Sequence, residues 1–238
     1  MTKTVGIAFA DSMEYLPFEK YAENKNFVSC VRRGNKSIEF TLSENDRTLK
    51  IIGVECGIGK VNAASCVSFL ISDDKADYIL NAGLSGAVTG LRKEDFVAGE
   101  SYVECDFDLT PLGFKVGEKP GQDFVYEADK TLLELVTQSK GIKTGKLGTG
   151  DFFLADEDKK KFYLDTFGIC AFDMETAAIA SVCHKAGIPM LSLRKISDDA
   201  GDAASDSYRE MNDRAEDSLT MVLDSLFARM LKHDEIWK

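Results

Sequence analysis

The chain has 238 residues, 44% of them apolar, which is enough to bury a substantial core, and no stretch reads as a linker, so one domain over 1-238 is expected. A formal net charge of −11 argues against a nucleic-acid or anionic-membrane surface, which would need clustered Lys and Arg, and points to a small-molecule partner. The six cysteines form no CxxC pair and read as reduced thiols of a cytoplasmic protein, and two isolated histidines argue against a structural zinc site.

The first strand is expected at Val5–Ala10, an apolar run too short for a signal peptide or a membrane span, with a helix from about Glu14 to Glu23. Ser37–Leu42 and Thr48–Glu55 flank Glu44-Asn45-Asp46-Arg47 as a hairpin would. Gly57-Ile58-Gly59 then breaks the chain before a helical spacing over Val61–Ile71, and Tyr78–Ala82 is a short buried strand ending at Gly83. Phe96–Val103 is a further strand, followed by an irregular segment from Glu104 to Tyr126 whose length suggests a functional loop. Thr131–Lys140 reads as a helix, Thr144–Thr149 as a strand and Asp156–Phe167 as a helix. Asp173 is placed to cap a helix that Gly187 ends, and Pro189–Lys195 follows as a strand. The terminal helix carries one apolar face through Tyr208, Met211, Ala215, Leu219, Val222 and Leu226. Strands alternating with helices in this way indicate an α/β fold, a three-layer αβα sandwich around a mixed, largely buried central sheet.

Several motifs suggest chemistry only on a first look. Gly57-Ile58-Gly59-Lys60-Val61-Asn62 is GxGxxN and has no Ser or Thr after the Lys, so neither a dinucleotide nor a phosphate loop fits; a Gly turn close to a ligand or to a packed helix stays open. Asn81-Ala82-Gly83-Leu84-Ser85-Gly86 lacks the GxSxG spacing and reads as a binding turn at a strand end. The acids Asp198, Asp199, Asp202 and Asp206 lack the alternate ligand positions of a calcium loop. Glu175, at a helix start, and Asp198, past a strand end, each have an ordinary structural explanation in the helix dipole and in turn capping. Their joint placement, with Glu14 arriving from the end of the first strand, brings three carboxylates to one crevice and suits acid/base chemistry on a polyol.

Phe172-Asp173-Met174-Glu175-Thr176-Ala177-Ala178-Ile179-Ala180, together with Arg194-Lys195-Ile196-Ser197-Asp198, resembles the signature of the 5′-methylthioadenosine/S-adenosylhomocysteine nucleosidases of the purine nucleoside phosphorylase superfamily. The resemblance runs through Cys56–Val61, Asn81-Ala82-Gly83, Gly150-Asp151-Phe152-Phe153 and the final helix. It implies that Glu175 holds the ribose hydroxyls beside the Met174 backbone, that Asp198 donates a proton to purine N7, and that Glu14 activates water. It further implies that Phe153 stacks on adenine, that backbone near Leu154 reads its Watson–Crick edge, and that Ile58 and Tyr208 line the pocket for the 5′ substituent. Ala10 and Ser197 complete the substrate-binding set, and Arg194 is available to position water and the ribose. Leu109, Leu112, Phe114 and Pro120 match positions that reach the neighbouring subunit's site in a homodimer. No metal or cofactor is implied. Leu84 stands where these nucleosidases carry a serine, and Ala82 where they carry a threonine. The resemblance leaves open a related nucleoside such as a futalosine derivative, a phosphate-dependent phosphorylase whose anion site Arg32 or Arg33 completes, and a binding protein without turnover.

Overall fold

A computed structural model describes residues 1–212 and 218–238, with the side chains of 209–212 left aside. The strands are β1 (Thr2–Phe9), β2 (Val28–Arg32), β3 (Asn35–Glu44), β4 (Arg47–Glu55), β5 (Tyr78–Ala87), β6 (Phe96–Glu104), β7 (Val125–Glu127), β8 (Ile142–Thr149), β9 (Ala171–Asp173) and β10 (Met190–Asp198). The helices are α1 (Ser12–Ala22), α2 (Lys60–Ser72), α3 (Lys130–Thr137), α4 (Glu157–Phe167), α5 (Thr176–Ala186), α6 (Ala204–Asn212) and α7 (Ser218–Lys232).

All of these strands join in one mixed sheet in the order β10-β6-β8-β9-β5-β1-β4-β3-β2, with β7 added to β6. β10 also pairs with β5, so the path β5-β9-β8-β6-β10 returns to its start and that half of the sheet closes on itself. β1, β5 and β10 run parallel and adjacent, which brings their C-terminal ends together. One face buries Phe9, Tyr15, Phe18, Leu132, Leu135, Leu226 and Phe227 under α1, α3 and α7. The other packs Val54, Val67, Leu70, Ile79, Ile179 and Cys183 under α2 and α5. Two helical layers on a buried sheet give the expected αβα sandwich.

Local chemistry explains the element ends. Asp11 caps α1 by accepting from the N–H groups of Met13 and Glu14 at 2.9 and 3.1 Å. Asp173 Oδ1 accepts from Glu175 N–H at 3.1 Å and Thr176 N–H at 3.0 Å, which starts α5, and Gly187 ends it at φ 67°. The β3–β4 hairpin turns at Asn45-Asp46, with Glu44 opposite Arg47. β5 departs from expectation: it does not stop at Gly83 but continues to Ala87. Its glycines are there for space, because a Cβ on Gly83 would overlap Glu14 and Arg194 and one on Gly86 would overlap Asp198 and Ala200. The short strands β2, β7 and β9 have too few residues to show an alternating pattern, and β7 lies in the segment expected to be irregular. Helix is described on both sides of residues 213–217, and Ala215 of the expected continuous face lies outside the described residues.

Candidate active site

A cavity of about 320 Å³ opens at the joined C-terminal ends of β1, β5 and β10, the position at which open α/β sheets place their ligands. Ala10, Glu14, Ile58, Phe153, Leu154, Met174, Glu175, Ser197, Asp198 and Tyr208 all line it. Segments spread over most of the chain therefore converge on one volume.

Glu14 stands on the first turn of α1, not at the strand end, and its carboxylate is held at both oxygens. Oε2 accepts from Ala10 N–H and Oε1 from Leu84 N–H, both at 2.7 Å. Burial pushes its pKa up to about 8; the Arg194 charge opposes the rise, and Glu175 and Asp11 add to it. A carboxyl poised near neutrality can exchange a proton with water, as a general base must.

Glu175 is 4% exposed, and its Oε1 accepts from Gly59 N–H at 3.0 Å. Burial raises its pKa against the pull of Arg194. Arg194 itself is fully buried. The structure places it behind the cavity and not in its lining. Its Nη2 donates to Thr176 Oγ1 at 2.7 Å and to Asn81 Oδ1, its Nε to Ser192 Oγ at 3.2 Å and its Nη1 to the Leu84 carbonyl at 3.3 Å. It pairs with Asp173 at 3.3 Å and lies 3.7 Å from Glu175. The guanidinium neutralises the carboxylates from beneath, and four of its five N–H donors go to protein groups.

Asp198 closes β10. The β5–β10 register shifts between Ile196 and Asp198, the kind of irregularity that re-aims a strand-end side chain. Its Oδ2 accepts from Ser197 Oγ at 2.7 Å and its Oδ1 from Ala200 N–H at 2.8 Å. Burial raises its pKa and the Ser197 and Ala200 bonds oppose the rise, so the environment favours the protonated acid that donation requires. Beside it, the exposed Phe153 ring meets Tyr208 edge-on at 5.6 Å, and Tyr208 donates its hydroxyl to Asp11 at 3.4 Å. Phe152 and Phe172, 5.1 Å apart, complete an aromatic wall at the cavity. The arrangement combines an acid, a base, a carboxylate suited to hydroxyls and a flat apolar surface suited to a heterocycle.

A family model described as the phosphorylase superfamily matches residues 4–228. The 5′-methylthioadenosine/S-adenosylhomocysteine nucleosidase of Geobacillus sp. (strain WCH70) is 36% identical over 173 residues, 69% of this chain and 75% of that protein. This chain belongs to the 5′-methylthioadenosine/S-adenosylhomocysteine nucleosidase family, within the phosphorylase superfamily. Among solved structures, the Helicobacter pylori nucleosidase of that name, complexed with a pyrrolidinol compound, is similar with a TM-score of 0.88 and 26% identity, over 95% of this chain and 98% of that one. Futalosine hydrolase of Helicobacter pylori strain 26695 is similar at 0.87 and 24% identity, over 95% and 98% of the two chains, a likeness that carries the fold alone.

Leu109, Leu112, Phe114 and Pro120, expected to reach a neighbouring subunit's site, do not line the cavity of their own chain. Leu112, in a short 3-10 turn over Thr110–Leu112, is 71% exposed. Sequence reasoning missed the support beneath the site. Asn81 and Ser192 are polar residues inside otherwise apolar strands, a recognisable signal for a buried network, and with Thr176 they take up the donors of Arg194. Asp11, which lines the cavity as well as capping α1, gave no signal beyond its capping position.

Proposed function

We infer that this protein hydrolyses the N-glycosidic bond of 5′-methylthioadenosine and S-adenosylhomocysteine, releasing adenine and a 5′-thio-substituted ribose, on a single domain spanning 1-238. Cleavage builds oxocarbenium character on the sugar and negative charge on the departing base, so it needs an acid at the base and an activated water at the anomeric carbon. In this reading Asp198, turned toward Ser197, protonates N7, and Glu14 takes the proton of the water. Glu175 holds the ribose hydroxyls beside Met174, Phe153 stacks on adenine, backbone near Leu154 reads its edge, and Ile58 and Tyr208 surround the 5′ substituent. Ala10 contributes through the main-chain N–H that orients Glu14. Arg194 keeps Glu175 and Asp173 in place from below.

The observation that favours water over phosphate is the scarcity of cationic side chains: among the described side chains, no Lys or Arg lines the cavity. A phosphate dianion beside three carboxylates would need charge-assisted donors, usually arginines. Arg32 and Arg33 do not supply them, because Arg32 pairs with Asp74 at 3.1 Å and Arg33 with Asp73 at 2.6 Å, at the far end of α2 from Gly59. The deciding experiment incubates the protein with methylthioadenosine, S-adenosylhomocysteine, adenosine, inosine and futalosine in phosphate-free buffer and measures free base and reducing sugar. A requirement for phosphate, or a ribose 1-phosphate product, would replace the hydrolase reading by the phosphorylase.

The quaternary reading is a homodimer in which Leu109, Leu112, Phe114 and Pro120 cover the partner's cavity. Its support is the exposure of Leu112 on a segment that leaves its own cavity unlined. Sedimentation finding a fully active monomer would refute it. The six free cysteines support a reducing, cytoplasmic setting, and among the described residues no helix is long and apolar enough to cross a membrane.

A further inference from the structure

Next to the cavity, three chain segments meet at one ammonium group that the reaction scheme leaves unused. Lys60 opens α2, and its N–H donates to Asp151 Oδ1 at 2.8 Å, while the adjacent Gly59 N–H donates to Glu175. Its Nζ bonds Asp106 Oδ1 at 2.7 Å and stands 3.7 Å from Glu104 Oε2. Asp106 in turn accepts from Asp151 N–H at 2.9 Å, two residues before Phe153. Glu104 also pairs with Lys119 at 3.0 Å, from within the 104–126 segment. The side chains of Lys60, Asp106 and Glu104 are only 20, 21 and 14% exposed, so these pairs are partly shielded from water.

We propose that Lys60 is a positioning residue: its ammonium locks the α2 start to the β6 exit and the β8–α4 loop, and so fixes Glu175 and Phe153 relative to each other. Without that cation, Asp106, Glu104 and Asp151 face one another with less positive charge to offset them than Lys60 and Lys119 supply together, and repulsion separates the two segments. The Gly59 turn packs closely on that loop: Gly59 lies at φ 96°, and a Cβ there would approach Asp151 Oδ1 to 3.1 Å. The acid and the base are held elsewhere, Glu14 by Ala10 and Leu84 and Asp198 by Ser197 and Ala200. Lys60 thus governs how tightly a nucleoside is gripped and not how fast it is cleaved.

The proposal rests on the roles given to Glu175 and Phe153 above, and steady-state kinetics with methylthioadenosine separates the two. Lys60→Met is expected to raise KM about tenfold, in the range for coupled neighbouring charges, with kcat changed less than about threefold. Lys60→Arg is expected to restore most of the affinity. Asp106→Asn is expected to reproduce the KM effect and to add little to Lys60→Met, and it carries the test alone if thermal unfolding shows the Met variant misfolded. An unmoved KM, a fall confined to kcat, an Arg variant as impaired as Met, or additive effects would each overturn the role of Lys60. Absence of base release by the unaltered protein would instead bring down the proposed function, and this inference with it.

Discussion

The main-chain N–H of Leu84 donates to Oε1 of Glu14 at 2.7 Å, so position 84 holds the carboxylate through its backbone. That explains how position 84 can carry a leucine without loosening Glu14. The adjoining glycine is less replaceable. A Cβ on Gly83 would overlap both Glu14 Oε1 and Arg194 Nη1. Gly83→Ala should therefore displace the base while the sheet persists, and turnover should drop toward the roughly 10²–10⁴-fold that general base catalysis contributes. Wild-type kcat in a folded Ala variant would show that Glu14 is not the base.

Asp198→Asn should abolish most base release yet keep substrate-analogue binding measurable. The amide is nearly isosteric and its oxygen can still accept from Ala200 N–H, but it has no acidic proton to deliver, a loss of about 10²–10⁴-fold. Calorimetric titration with a non-hydrolysable analogue, run beside the adenine-release assay, distinguishes this from a collapsed site.

Glu175→Gln should raise KM and lower kcat/KM with kcat changed less, because a charged carboxylate on ribose hydroxyls acts in both ground and transition states, at roughly 1.5–3 kcal/mol. The substitution also leaves Arg194 with less compensating charge. If only the melting temperature moved, the carboxylate would be structural.

Glu14 gives a pH signature in stability. Its folded pKa of about 8 lies above the ordinary 4.5, so between these values the folded protein keeps a proton that the unfolded chain has released. The stability this supplies is complete below the lower value and lost as pH rises through the upper one. Glu175 and Asp198 shift in the same direction, so the comparison that isolates Glu14 is with Glu14→Gln. Scanning calorimetry across this range should find wild type losing more stability with rising pH than the variant; parallel slopes would contradict the assignment.

The carboxylates were legible in the sequence because each sits beside a recognisable break: Glu14 after a strand and a capping Asp11, Glu175 at a helix start, Asp198 at a strand end. The hairpin at Asn45-Asp46 and the cap at Gly187 were legible for the same reason, since turn chemistry is local. β5 was cut short because Gly83 looks like punctuation, and only the packed neighbours reveal that its missing side chain makes room for Glu14 and Arg194. The protein partners of Arg194 were not legible, because a linear reading does not tell whether a cation's donors face ligand or protein. Its partners Asn81, Thr176 and Ser192 lie 113, 18 and 2 residues away and meet it only in the folded sheet.

The closure of β10 onto β5 also shapes how the molecule is made. That pairing sets Ile196 beside Ser85 and Asp198 beside Gly86, joining strands that have β6, β8 and β9 between them in the chain. Contacts so distant along the chain form slowly, after local hairpins such as β3–β4. The acid at Asp198 meets the base at Glu14 only once that seam zips, so a chain folded without it, whatever its secondary structure, is catalytically silent. Recovery of turnover after dilution from denaturant would then lag behind recovery of far-ultraviolet dichroism, and its delay would clock the closing of the seam.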